Sequence, residues 1–222
     1  RLLLGNWYAR EESSGYYKRD WVVELNPHVK EDMSYLQRVT KRVRAWDMAC
    51  SIPSEAVSDP DYSVGVMIAR TKDGEFIIED MQRFRKRTGE TLEHILQTAQ
   101  EDRKKFGSHV VTLLPTDPGE AGKSIKHVRA KEFASRGIPV KFEKSYTTKS
   151  KLDRFLPMSS ACENGLVYII KADWNDPYHS EMENFDGVSR RFHDDVVDSS
   201  ASAYNHIATT KEYKKLNPKM IG

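Results

Sequence analysis

Apolar and polar positions along this chain fall into stretches of two periods, near 2 and near 3.6. Residues 41–51 are largely apolar, with Val43, Ala45 and Met48-Ala49-Cys50 surrounding Trp46-Asp47, and predict a strong strand. Residues 62–70 alternate and predict a second strand. Lys72-Asp73-Gly74 then reads as a hairpin turn, because Asp-Gly supplies the positive φ values such a turn needs. Residues 75–84 follow as a third strand, so the three form an antiparallel meander. From Thr88 the period lengthens: Leu92, Ile95, Leu96 and Ala99 share a helical face, Glu90, Thr91 and Glu93 support its start, and Gly107 ends the connection.

The second half of the chain alternates helix and strand. Residues 109–114 form a short apolar run between Gly107 and Pro115, and a helix on either side makes it a buried parallel strand. A basic amphipathic helix over 124–136, closed by Gly137, leads to a strand at 138–142. A helix from about Ser150 carries Leu152, Phe155, Leu156 and Met158. A strand at 166–170 and a helix over 174–185 come next. In the last helix Val196, Ser200, Ala203 and Ile207 recur at helical spacing, as do Val197, Ala201, Tyr204 and Ala208. Their small side chains predict close packing on a sheet. The first 40 residues lack a clean period. Their aromatics (Trp7, Tyr8, Tyr16, Tyr17, Trp21) read as docking residues of a connector, with a short strand near residues 21–25. The expected organisation is a connector at 1–40, a main domain at 41–210 and a basic tail at 211–222.

Composition narrows the class. A chain of 222 residues suits one domain with an appendage. No apolar run of ~18 residues is present, so no membrane span is expected. No signal-peptide pattern opens the chain, and Arg1 is not an initiator, so a piece of a longer protein is expected. Cys50 and Cys162 make no disulfide framework, which favours a reducing compartment. A net charge of +2 neither demands nor excludes nucleic acid.

Candidate chemistry lies in the acids. Asp47 sits in an otherwise apolar strand, where acids are disfavoured. It is either paired with a neighbour such as Arg44 or part of a site. Asp117 ends the parallel strand, at the sheet edge where open α/β sheets bind ligands. The last helix opens on His193-Asp194-Asp195 and Asp198, and spacing by three makes Asp195 and Asp198 neighbours. A capping Asp is ordinary at a helix start. Three acids with a histidine exceed what capping needs. The run from Asp117 to Gly122-Lys123-Ser124 imitates a phosphate-binding P-loop, but Asp117 stands where that loop has its first glycine. Its charge opposes a triphosphate and suits a metal ion, leaving Lys123 for a substrate phosphate. Lys144, Lys149, Lys151 and Arg154, with Tyr146 among them, form the most basic segment: a solvated face or a nucleic-acid contact.

The order strand-strand-strand-helix-strand-helix, with an acidic final helix, matches the RNase H-like topology, a mixed α/β sheet of three antiparallel and then parallel strands flanked by helices. The chain resembles the nuclease domain of tailed-bacteriophage terminase large subunits over roughly residues 15–208. Four stretches carry the resemblance: Arg44-Ala45-Trp46-Asp47-Met48-Ala49, Asp117 to Ser124, Gly165-Leu166-Val167 before Trp174, and His193-Asp194-Asp195-Val196-Val197-Asp198. Two departures stand out: many relatives have Glu at the position of Asp117, and Ala at that of Ser199. The resemblance implies an endonuclease that cuts concatemeric viral double-stranded DNA during packaging, with little sequence preference. It implies two Mg²⁺ or Mn²⁺ ions on Asp47, Asp117, Asp195 and Asp198, and DNA phosphates on Lys123, Lys149, Lys151 and Arg154. Hard oxygen ligands select those ions over Zn²⁺. The implied partners are an ATPase motor preceding this domain in the full-length chain, the small terminase subunit and the portal protein, in the host bacterial cytoplasm. Another RNase H-like nuclease, such as a resolvase or integrase, shares the site. A non-catalytic DNA-binding or docking domain keeps the basic face without needing the acids.

Overall fold

The computed structural model describes residues 15–55, 57–116, 119–143, 149–188 and 192–209, without the side chains of Glu120 and Ala121. Asp117, residues 144–148 of the basic segment and the tail at 211–222 lie outside that set. The strands are β1 (Val23–Leu25), β2 (Val39–Asp47), β3 (Ser63–Thr71), β4 (Phe76–Phe84), β5 (Val110–Leu114), β6 (Val140–Phe142) and β7 (Val167–Ile170). The helices are α1 (Lys30–Met33), α2 (Thr88–Phe106), α3 (Gly119–Ser135), α4 (Lys151–Glu163), α5 (Asn175–Asn184) and α6 (Asp195–Thr209).

One seven-stranded sheet runs in the order β1-β7-β4-β3-β2-β5-β6. Strands β2, β3 and β4 are the antiparallel meander, and every other neighbouring pair is parallel. The Asp73-Gly74 turn joins β3 to β4, with Gly74 at φ 92°. Strand β5 is buried beside β2 and runs parallel to it, as its apolar character predicts. Residues 15–40, expected as a connector, place Tyr17 and Leu25 in the interior and add β1 outside β7.

The sheet has helices on both faces. Val43, Ala45, Val66 and Ile68 face a core closed by α4, α5 and α6. Trp46 faces a second core with Ile95, Leu96 and Phe133, under α2 and α3. Side chains alternate along a strand. The faces taken by Ala45 and Trp46 therefore send Asp47, the last residue of β2, towards α6. The same alternation turns Arg44 the other way. There it is 2 % exposed and its guanidinium donates to both oxygens of Asp102, at 2.6 and 2.9 Å, while pairing with Asp80 at 2.8 Å. Arg44 is thus held on the opposite face and does not neutralise Asp47. Gly65, register partner of Trp46, leaves room for the indole, since a Cβ there would lie 2.6 Å from the ring.

Helix α6 lies close on β2 and β3, with Ser199, Ser200, Ala201, Ser202 and Ala203 all buried. The Ser199 hydroxyl donates to the Ala45 carbonyl at 2.8 Å and accepts from the Val66 N–H at 2.9 Å. It therefore couples the helix to the two central strands one residue after Asp198. Ser199→Ala leaves a buried N–H and a buried C=O without this partner. That change is expected to cost about 1–3 kcal/mol, or several degrees of melting temperature at ~2–4 °C per kcal/mol. An unchanged thermal midpoint would show that these hydrogen bonds add nothing.

No helix among the described residues is long and apolar enough to cross a membrane.

Candidate metal centre

Asp47 leaves the end of β2 at the edge where α6 begins. Asp195 is the first residue of α6 and only 4 % exposed. Its carboxylate accepts from the Tyr62 N–H at 2.8 Å, at the entrance to β3. Asp198 lies one turn further along α6. Burial first, and then the charges of Asp198 and Asp195, push the Asp47 carboxyl up to about 7, although Lys151 and the Met48 N–H partly oppose the rise. Burial likewise pushes Asp195 up to about 6, against the Tyr62 hydrogen bond and together with the nearby Asp61. These three carboxylates, picked out from two stretches of sequence, lie near enough for the charges of Asp198 and Asp195 to act on Asp47. The fourth candidate, Asp117, is not among the described residues. The preceding strand, β5, is paired with β2 through Ala45 and Leu113, so its carboxyl end opens on the same edge as Asp47.

The cluster has two dissimilar halves. On one side, Lys151 Nζ lies 2.6 Å from Asp194 Oδ2 and 2.8 Å from Asp198 Oδ2, and Arg154 Nη2 lies 2.6 Å from Asp198 Oδ1. On the other side, one ligating atom each from Asp61, His193 and Asp195 lie within 4.8 Å of one another. His193 Nε2 also meets Asp59 at 2.9 Å, and Asp59 is paired with Arg85. Burial works against a charged His193, but Asp59, Asp195 and Glu181 outweigh it and raise its pKa. Burial raises Asp47 and Asp195, and a cation beside them favours their ionised forms. The oxygen-rich donor set, with one imidazole beside it, fits a divalent ion.

Three contributors escaped the sequence reading. Glu181 on α5 accepts from the Val196 N–H at 2.6 Å and meets Arg83 at 3.2 Å, so it fixes the first turn of α6 from outside. Burial pushes Glu181 up to about 7. Asp59 and Asp61 come from the loop before β3. An acid in a loop or in an ordinary helix carries no local mark of such a role. Tyr62 is flanked by two guanidinium groups, Arg83 at 3.6 Å and Arg85 at 3.7 Å from its ring centroid, which stiffens that loop's end.

The four basic candidates divide. Lys151 and Arg154 face the carboxylates. Lys149 is exposed just before α4 and lines a recess of about 390 Å³ with Arg154, Glu143 and Asn205. Lys123 is exposed near the start of α3.

Residues 44–207 match the model of a family described as the terminase RNaseH-like domain. The fold is similar to that of the large terminase nuclease of thermophilic phage G20c with bound magnesium, at 17 % identity and TM-score 0.54, covering 88 % of this chain and 98 % of that one. The large terminase nuclease domain of Thermus phage P74-26 aligns at 18 % identity and TM-score 0.53, covering 86 % and 92 %. A manganese-soaked human cytomegalovirus terminase nuclease domain aligns at 8 % and TM-score 0.54, covering 82 % and 88 %. No curated protein sequence matches.

Proposed function

The chain belongs to the terminase RNase H-like domain family, and from that premise we propose that it is a divalent-metal-dependent endonuclease that cuts concatemeric viral double-stranded DNA during genome packaging. The observation that carries this reading is the gathering of Asp47, Asp195 and Asp198 at one sheet edge, with burial raising the first two and the charges of Asp198 and Asp195 adding to the rise at Asp47. Asp47, Asp195 and Asp198 would hold two Mg²⁺ or Mn²⁺ ions, with Asp117 as the fourth carboxylate. Such ions, when bound, supply Lewis acidity for activating water and for stabilising the leaving 3′ oxygen of a phosphodiester.

The chain's own residues do the rest. The Tyr62 N–H fixes one Asp195 oxygen, and Glu181 holds the α6 backbone, so Asp195 is presented in one orientation. Ser199 keeps Asp198 at a constant distance from β2. Lys123, Lys149, Lys151 and Arg154 would meet DNA phosphates. Phosphate contacts position a duplex without reading its sequence, which suits cleavage with little sequence preference. In the full-length protein the domain would work beside a terminase ATPase, with the small subunit and the portal as further partners, in the host bacterial cytoplasm. The family match favours this over a resolvase or integrase, and the buried acids favour it over a docking domain.

Incubation of the domain with supercoiled plasmid is the direct test. Nicking and linearisation are expected with Mn²⁺, with none in EDTA and with products scattered in sequence. Intact plasmid under every divalent ion would refute the enzyme reading. ATP is expected to change nothing, because Asp117 replaces the first glycine of a P-loop. One-to-one binding of Mg-ATP at micromolar concentration, abolished by Lys123→Ala, would instead make the loop a nucleotide site.

A further inference from the structure

The geometry points to Lys151 as a built-in counter-ion: its ammonium holds the cation position between Asp194 and Asp198 in the metal-free protein and yields it to a divalent ion. This inference rests on the metal-dependent reading above.

The two halves of the acidic cluster are compensated in different ways. Asp195 receives a backbone N–H and lies near His193 and Asp61. Asp198 has both oxygens engaged by cations from a single helix, Lys151 at 2.8 Å and Arg154 at 2.6 Å. The same Lys151 nitrogen reaches Asp194 at 2.6 Å, and its charge also acts on Asp47. One ammonium therefore serves three of the carboxylates. A divalent ion cannot take Asp198 Oδ2 while the ammonium stays at contact distance, because two cations there repel strongly.

Of the two cations, Lys151 is the one built to leave. Its side chain is 46 % exposed against 18 % for Arg154. A lysine carries a point charge on a flexible stem, whereas arginine is a preorganised fork. The helix itself is anchored. Ser150 caps it, with its hydroxyl accepting from the Asp153 N–H at 3.0 Å, and Asn205 of α6 donates to the Arg154 carbonyl at 2.7 Å. Exchange must therefore occur by rotation of the Lys151 side chain and not by movement of α4. The displaced ammonium is then available to a DNA phosphate.

Two unequal Mn²⁺ affinities are expected for the wild-type domain by isothermal titration calorimetry, the weaker belonging to the half that Lys151 occupies. Lys151→Met is expected to tighten the weaker event by about ten-fold or more, since a contact-distance repulsion is removed. Lys151→Arg should bind Mn²⁺ within a few-fold of wild type, and its thermal midpoint checks that position 151 tolerates substitution. Lys131→Met takes the same charge from the exposed side of α3 and should leave both affinities unchanged. If Lys151→Met binds Mn²⁺ as the wild type does, or more weakly, the counter-ion inference is overturned while the metal-dependent reading stands. If neither protein binds Mn²⁺, both fall.

Discussion

Asp47→Asn is expected to lower the rate of plasmid nicking by on the order of 10²–10³-fold or more, the scale seen when one electrostatic contributor is removed from a transition state. The expectation follows from where β2 ends. Alternation places Ala45 and Asp47 on the α6 face, and Arg44 is held on the other face by Asp102 and Asp80. Asp47 is thus left facing Asp195 and Asp198, with Lys151 as the nearby cation. Asparagine keeps the size and one oxygen but removes the charge that a divalent ion needs. The fold should persist, because the carboxylate is already disfavoured where it stands. A variant with native circular dichroism that still nicks plasmid at the wild-type rate would remove Asp47 from the site.

Without divalent ions, the domain should be less stable at pH 8 than the same domain carrying Asp47→Asn, and the difference should shrink towards pH 5. The Asp47 carboxyl titrates near 7 in the folded protein, above its ordinary value of 3.8. Between those values the folded state binds the proton more tightly than the unfolded state does, so stability falls as pH rises through that window. Asp195, near 6, and Glu181, near 7, act in the same direction. The histidines His94, His179 and His206 have lowered pKa values from burial and work the opposite way at acid pH. Comparison with Asp47→Asn cancels them. At 1.36 kcal/mol per unit, the Asp47 contribution is at most on the order of a few kcal/mol, or several degrees of melting temperature for a domain of this size. Saturating Mn²⁺ should reverse the order at pH 8, raising the wild type above the variant. Identical pH profiles for the two proteins would mean that Asp47 is not buried among other acids.

Local pattern accounts for the elements because each strand or helix is one neighbour deep in sequence. The Asp73-Gly74 turn, the apolar run of β5 and the small residues of α6 were legible from periods of 2 and 3.6 and from turn chemistry. The same pattern marked Asp47 as out of place, since an acid inside an apolar strand calls for a partner, and the three acids with His193 at the start of the last helix exceeded what capping needs. It also left Arg44 open as the partner of Asp47: alternation puts residues three apart on opposite faces of a strand, but it does not say which helix covers each face or what Arg44 meets there.

That question belongs to the tertiary structure. Arg44 and Asp47 are three residues apart and lie on opposite faces, so the arginine meets Asp102, 58 residues away, instead. Asp61 and Glu181 look ordinary in sequence and become part of the centre only when β3 and α5 pack beside α6. Lys151 and Arg154, legible only as a basic run, turn inwards because α4 docks its first turns against the start of α6. Sequence alone determined which residues are chemically unusual, because that depends on near neighbours along the chain. Which charges meet was decided by the packing of helices on the sheet, because electrostatic interaction depends on distance in space.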